Sequence, residues 1–199
     1  DRPEDLYAEA VSDTRVEGHR HTYGWANYQK VYFVAEFSKP FESFEAVDES
    51  NWYYRINFTT TEGEQIGVKV ALSSTSIEGA RKNFDAEVAA TDFDTVRKAT
   101  YDKWNTEIRK IRIEGATPEQ EEIFYTAMYH MYVAPSLFSD VDGTYRGADQ
   151  EIHQNPGHDT YTTFSLWDTY RAKLPLMTIT HPERMDDVIN TMINICEEQ

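Results

Sequence analysis

The spacing of apolar residues changes period near residue 91, and that change limits the fold more than any other feature of the chain. Before it, apolar side chains fall at every second position. Val31, Phe33, Ala35 and Phe37 alternate in VYFVAEF, and Ile66, Val68, Val70 and Leu72 alternate in QIGVKVAL. The aromatic, β-prone run NWYYRINF (51–58) lies between them. A period of two puts one set of side chains on one face of a strand. Polar or Gly-containing segments separate the runs, first SKPFESFEAVDES and then TTTEGE around Gly63. Two or three half-buried antiparallel strands in succession predict part of a β-sandwich. In SSTSIEGARKNFDAEV, Ile77, Ala80, Phe84 and Val88 recur three to four residues apart and predict a short helix.

Beyond residue 91 the period is helical. Asp92 is placed to cap a helix whose stripe is Phe93, Val96, Trp104, Ile108 and Ile111. Thr117-Pro118-Glu119-Gln120 is a capping box with Pro at the first helical position, ahead of Ile123, Phe124, Ala127, Met128 and Met131. FSLWDTYRAKL predicts a third helix that ends near Pro175. A fourth starts at Thr180-His181-Pro182-Glu183 and carries Met185, Val188, Ile189, Met192 and Ile193. That last face has no partner further along the chain. The expectation is therefore an α+β piece of a longer parent: part of a sandwich, a linker helix, and the opening helices of an all-α domain.

Charge narrows the partners. Against 19 Lys and Arg stand 35 Asp and Glu, a net −16 over 199 residues. Such a chain repels phosphate backbones and anionic membrane surfaces, and it carries no basic patch. Solubility, divalent cations or a neutral sugar suit it better. No run approaches the roughly 18 apolar residues of a membrane span. The opening DRPEDLY has neither an initiator Met nor the basic and apolar regions of a signal peptide, so a leader has been removed or the chain is cut from a longer one. Cys196 is the only cysteine, which excludes an intrachain disulfide and any site of several thiolates.

The acids of SDVDGTYRGADQE suggest calcium, but the loop register fails. With Asp140 at the first position of an EF-hand loop, Glu151 falls at the twelfth, yet Tyr145 occupies the sixth, where Gly is needed. With Gly143 sixth, Phe138 is first. The loop is either a Gly-rich turn with solvated acids or the rim of an active site. The histidines His19, His21, His130, His153, His158 and His181 show no HExxH or similar spacing. His19 and His21 point the same way only if they lie on a strand. Ser165 lacks the flanking glycines of a hydrolase elbow, and no phosphate-cradling glycine loop is present. The most unusual segment is YTTFSLWDTYRAKLPL. There Trp167 and Asp168 offer an apolar plate and a bidentate acceptor, the pairing that suits a neutral sugar. The alternative is a core Trp beside an Asp that caps a helix.

These strings carry a resemblance. VYFVAEFSKPF, KVALSSTSIEGARKNFDAE, FYTAMYHMYVAPSLFSDVDGTYRG and above all TFSLWDTYRAKLPLMTITHPER resemble glycoside hydrolase family ninety-two, from about residue 18 to 195. The resemblance implies a calcium-dependent, exo-acting, inverting alpha-mannosidase of the kind abundant in gut Bacteroidetes. It implies a β-sandwich domain over 1–90, a helical linker over 91–116, and the start of a six-hairpin α toroid over 117–199. The family's SLWDT motif falls on Ser165 to Thr169, so Asp168 inherits contact with the terminal mannose hydroxyls, with Trp167 beside it. Lys173 departs from the pattern, which carries a His there. The catalytic acid, the carboxylate base and the Ca²⁺ ligands belong to later parts of the toroid, so no catalytic or metal residue is expected here and the chain alone is expected to be inactive. The resemblance implies mannose-containing glycans as substrate and a bacterial envelope location: periplasmic, cell-surface or secreted. The remainder of the parent, or another copy, is expected against the last helix. The rivals are a non-catalytic sugar-binding or interaction module and an unrelated toroid glycosidase or lyase.

Overall fold

The computed structural model describes residues 2–24, 28–47, 53–155, 157–162 and 164–199. Asn51 and Trp52, which open the run NWYYRINF, and Thr163, beside the SLWDT motif, lie outside the described residues. The chain forms two compact units. One comprises Asp1–Thr91 with Ser139–Gln154, and the other Asp92–Phe138 with Asn155–Gln199.

The first unit is built on an antiparallel sheet of order β1-β2-β3-β6. Its strands are β1 (Arg2–Ala10), β2 (Arg15–Tyr23), β3 (Gln29–Phe37) and β6 (Val68–Ser73). A separate hairpin joins β4 (Ser43–Ala46) to β5 (Tyr54–Asn57), with Phe44 stacked on Tyr54 at 5.0 Å. The runs 31–37, 51–58 and 65–72 thus correspond to β3, which starts earlier, at Gln29, and to β5 and β6, which start later, at Tyr54 and Val68. Strands β1 and β2 were not anticipated. RPEDLYAEA and RVEGHRHTY are too polar to alternate, and their ladder rests on backbone hydrogen bonds and cross-strand side-chain pairs instead.

Helix α1 (Ile77–Glu87) lies on one face of this sheet, capped where Ser76 Oγ accepts from Gly79 N at 3.0 Å. The core between them is Val34, Ala71, Ala80 and Phe84, with Tyr32 and Val88 against it. Cross-strand register aligns Glu17 with Val34 and Val34 with Ala71, so these three share the helix-facing side. This corrects the expected burial. Val68, Val70 and Leu72 point the other way and are exposed, because α1 packs on the small side chains of β6 rather than on its large ones. Glu17 is buried on the helix face and receives Arg81 of α1 at 2.6 and 3.0 Å. That pairing raises the Arg81 pKa further.

The segment Ser139–Gln154 completes this unit. It forms a small hairpin of β7 (Thr144–Arg146) and β8 (Ile152–Gln154). Its acids are not simply solvated. Asp140 is 5% exposed and accepts from Ser73 Oγ (2.7 Å), Thr75 Oγ1 (2.6 Å) and Asn83 Nδ2 (2.8 Å). Asp142 takes Lys82 Nζ at 2.8 Å and Thr144 Oγ1 at 2.7 Å, and the lysine ahead of the threonine holds its pKa down at about 2.

The second unit is helical. Asp92 caps α2 (Phe93–Ile108) by accepting from Thr95 N at 2.9 Å. The capping box at Thr117 and Gln120 is formed at the head of α3 (Pro118–Tyr132). Trp104 of α2 meets Tyr129 of α3 with ring centroids 4.6 Å apart. The single helix expected over 164–174 is instead two: α4 (Leu166–Thr169) and α5 (Lys173–Thr180). Pro175 does not end a helix. It is the third residue of α5, within the first turn, where no intrahelical N–H bond is lost. Helix α6 (Pro182–Glu197) begins where expected. Its apolar face is only partly open: Val188 is buried, while Ile189 and Ile193 are exposed. The packing of α5 against α6 covers part of that face.

Gly79 sits where an added Cβ would lie 2.4 Å from Asp140 Oδ2 and 2.6 Å from Ser73 Oγ. Gly79→Ala removes a helical glycine, worth about 0.5–1 kcal/mol, but overpacks this cluster at about 1–3 kcal/mol. The clash wins. The variant is expected to have a lower denaturant midpoint than the wild type, and an equal or higher midpoint would show that the cluster yields without cost.

Candidate functional site

Trp167 and Asp168 lie together on α4. Trp167 is 74% exposed, with the Arg171 guanidinium 5.2 Å from its ring centroid. Asp168 is exposed, and its Oδ2 accepts from Ser165 Oγ at 2.6 Å. No side chain caps α4. The turn presents an exposed indole next to a carboxylate that accepts from one hydroxyl. One donor leaves most of the four lone-pair sites of a carboxylate available.

A second constellation lies among the helices. A cavity of about 370 Å³ in the second unit is lined by Trp104, Glu107, Tyr132, Tyr161, Met177 and His181, among others. Neither Trp167 nor Asp168 lines it. His181 is 3% exposed, and its ring is fixed at both nitrogens: Nδ1 by Thr180 Oγ1 at 2.9 Å and Nε2 by Glu107 Oε2 at 2.7 Å. Tyr132 meets its edge at 4.6 Å. Lys110 Nζ reaches Glu107 at 2.9 Å and the Thr180 carbonyl at 3.0 Å. Burial works against ionising Glu107, but the hydrogen bonds from Lys110 and His181 outweigh it, and its pKa is lowered. Sequence spacing gave no signal here, because Glu107 and His181 are 74 residues apart.

The other flagged residues separate. His153 bonds Asp149 at 3.0 Å, and His158 Nδ1 lies 3.1 Å from the Asp159 carbonyl. Lys173 directs its ammonium to the Ala134 carbonyl, and burial lowers its pKa. His19 and His21 do lie on a strand, β2, with Asp5 of β1 beside them. Among the described residues this is the one cluster of three metal-ligating side chains. Of the loop acids, Asp140 is held by Ser73, Thr75 and Asn83, Asp142 by Lys82 and Thr144, and Asp149 by His153.

Two family models cover the chain, and their boundary falls at the start of α1 rather than at the division between the two compact units. The Glycosyl hydrolase family 92 N-terminal domain matches residues 1–73, and the family 92 catalytic domain matches residues 79–199. The chain belongs to glycosyl hydrolase family 92. It is similar to a family GH92 alpha-mannosidase from Bacteroides thetaiotaomicron, at 31% identity and a TM-score of 0.87, over 96% of this chain and 28% of that one. The same enzyme has also been solved in complex with mannoimidazole. A second relative, a family GH92 inverting mannosidase from the same organism, is 27% identical with a TM-score of 0.81, covering 94% of this chain and 28% of that one. The chain thus spans 28% of the length of these relatives. No curated protein matches it.

The lowered Glu107 pKa has a consequence for stability. A depressed carboxylate stabilises the fold above the ordinary Glu value, ~4.3, and that contribution is lost as pH falls through the lowered pKa. Glu107→Gln keeps the shape and removes the charge. Between roughly pH 5 and 3 its melting temperature is expected to fall less steeply than that of the wild type. Parallel curves for the two proteins would show that Glu107 does not couple to folding.

Proposed function

We propose that the protein carrying this chain is an inverting, exo-acting alpha-mannosidase that hydrolyses terminal alpha-mannosides of N-glycans or mannans. The observation that carries this reading is family membership at both domains, joined to structural likeness to mannosidases over nearly the whole chain. The mannoimidazole complex of one relative supports a mannose-shaped ligand. A non-catalytic module has no comparable support.

Within this reading, Trp167 lays its ring against the C–H face of the terminal sugar and Asp168 accepts hydrogen bonds from vicinal hydroxyls. Inversion needs one carboxylic acid to protonate the leaving oxygen and one carboxylate to activate water on the opposite face. We assign neither to this segment. Calcium dependence and an envelope location, whether periplasmic, cell-surface or secreted, complete the proposal, with the Ca²⁺ ligands outside this segment.

One assay on the intact enzyme tests both site and cofactor. Charged hydrogen bonds are worth about 1.5–3 kcal/mol each, so Asp168→Asn should lower kcat/KM on an alpha-mannoside on the order of 10²-fold. The melting temperature should hold, because Asn still accepts from Ser165. Unchanged turnover would return Asp168 to a structural role. The wild type should also lose activity in chelator and regain it with Ca²⁺ but not with Zn²⁺, and activity that survives exhaustive chelation would remove calcium from the proposal.

A further inference from the structure

The cluster on β1 and β2 plays no part in sugar hydrolysis as proposed above. His19 and His21 sit two apart on β2, so the pleat sends both rings to one face. The rings stack with centroids 4.5 Å apart and planes at 24°. Asp5 pairs with His21 in the strand register, just after a register shift between Pro3 and Asp5. Such a bulge re-aims the side chain that follows it. Asp5 Oδ2 lies 2.8 Å from His19 Nε2 and 3.6 Å from His21 Nδ1. Tyr7 stacks on His19 at 5.8 Å, and Tyr32 meets both rings edge-on at 5.8 and 5.7 Å. The two imidazoles are only 19% and 21% exposed, whereas the carboxylate is 59% exposed. The result is a pocket of ligands with a walled back and an open front. His21 Nδ1 is the nitrogen turned to Asp5, and the other, Nε2, is buried with no hydrogen-bond partner among the described residues.

We propose that Asp5, His19 and His21 bind a borderline divalent transition-metal ion, Zn²⁺ in kind, across the β1–β2 ladder. Two imidazole nitrogens and one carboxylate oxygen are the donor set such ions prefer, with a fourth position left for water. Calcium takes six to eight oxygens and is poorly served by imidazole. Bonds of about 2.1 Å in a tetrahedral site place ligand atoms about 3.4 Å apart. The two separations from Asp5, 2.8 and 3.6 Å, bracket that value, and all three ligand atoms lie within 4.8 Å of one another. Binding would exchange the hydrogen bond between His19 and Asp5 for two metal bonds and release its proton. Lys30 stands across the ladder from His21 and opposes a second cation, so the charge of Asp5 is essential to affinity.

The test titrates the intact protein, freed of metal, with Co²⁺, read by its visible d–d absorption, and then displaces it with Zn²⁺. One equivalent is expected to bind, and Zn²⁺ at roughly 100 µM should raise the melting temperature by mass action. His19→Gln, His21→Gln and Asp5→Asn should each weaken binding more than the about 10–100-fold that loss of an outer-shell partner costs. Asp5 is the most exposed of the three, so Asp5→Asn decides the matter if either histidine variant unfolds. Absence of a cobalt spectrum and of a thermal shift in the wild type would overturn the site. Undiminished binding in Asp5→Asn would overturn it equally, placing the metal on other side chains.

Discussion

A single buried carboxylate organises the sheet unit. Asp140 has no cationic partner among its hydrogen bonds. Its carboxylate is met by the hydroxyls of Ser73 and Thr75 and the amide of Asn83, with the Thr144 hydroxyl further off at 3.5 Å. Burying an ionised carboxylate without such donors is prohibitively costly, so these groups must stay together for the charge to stay buried. Asn83 is the hinge of the arrangement. Its amide also donates to the Leu72 carbonyl, and its Oδ1 accepts from Val141 N. One cluster thereby ties the end of β6, helix α1 and the incoming segment 139–154. Arg146 strengthens the tie by donating to the carbonyls of Ser74 and Thr75. The requirement extends to Gly79, since any side chain there would intrude on the same oxygens.

That constraint explains why the chain's order along the sequence is not its order in space. Residues 139–154 follow α3, yet they belong to the sheet unit, and the chain returns to the helical unit at Asn155. A short while later it forms the turn that presents Trp167 and Asp168. The proposed sugar contact is thus local, two adjacent residues on one helical turn, whereas the buried networks join residues that are far apart. Asp140 reaches back 67 residues to Ser73, and Arg81 reaches 64 to Glu17.

The same distinction decides what the sequence makes legible. Features written within a few residues are readable: the change of period, the caps at Asp92 and Thr117, the start of α6, and the Trp167–Asp168 pair. So is the conditional geometry of His19 and His21, whose rings align because β2 is a strand. Features that arise from distant partners are not. Strands β1 and β2 lack alternation because their polar side chains pair across the ladder. The apolar sets Val31, Phe33, Ala35 and Val68, Val70, Leu72 mark one face, but only the position of α1 shows that the opposite face is the one it covers. The acids of the 139–151 loop look solvated in sequence because hydroxyls 65 and 67 residues away cannot be paired with them by eye. Proline at 175 signals a helix end only when its place in the turn is unknown.

If Asp140 holds segment 139–154 on the sheet, its amides must open only when that network opens. Amide hydrogen exchange measures this directly at Asp140 and Gly143, which donate to Thr144 and Asp140 carbonyls at 2.8 Å, and at Gly147, which donates to the Glu151 carbonyl at 2.9 Å. In the wild type these amides should be protected to a degree close to those of β3 and β6, as members of one cooperative unit. In Asp140→Ala they should exchange far faster and the sheet should be destabilised with them. Rapid exchange of the three amides in the wild type, beside a fully protected sheet, would contradict the account.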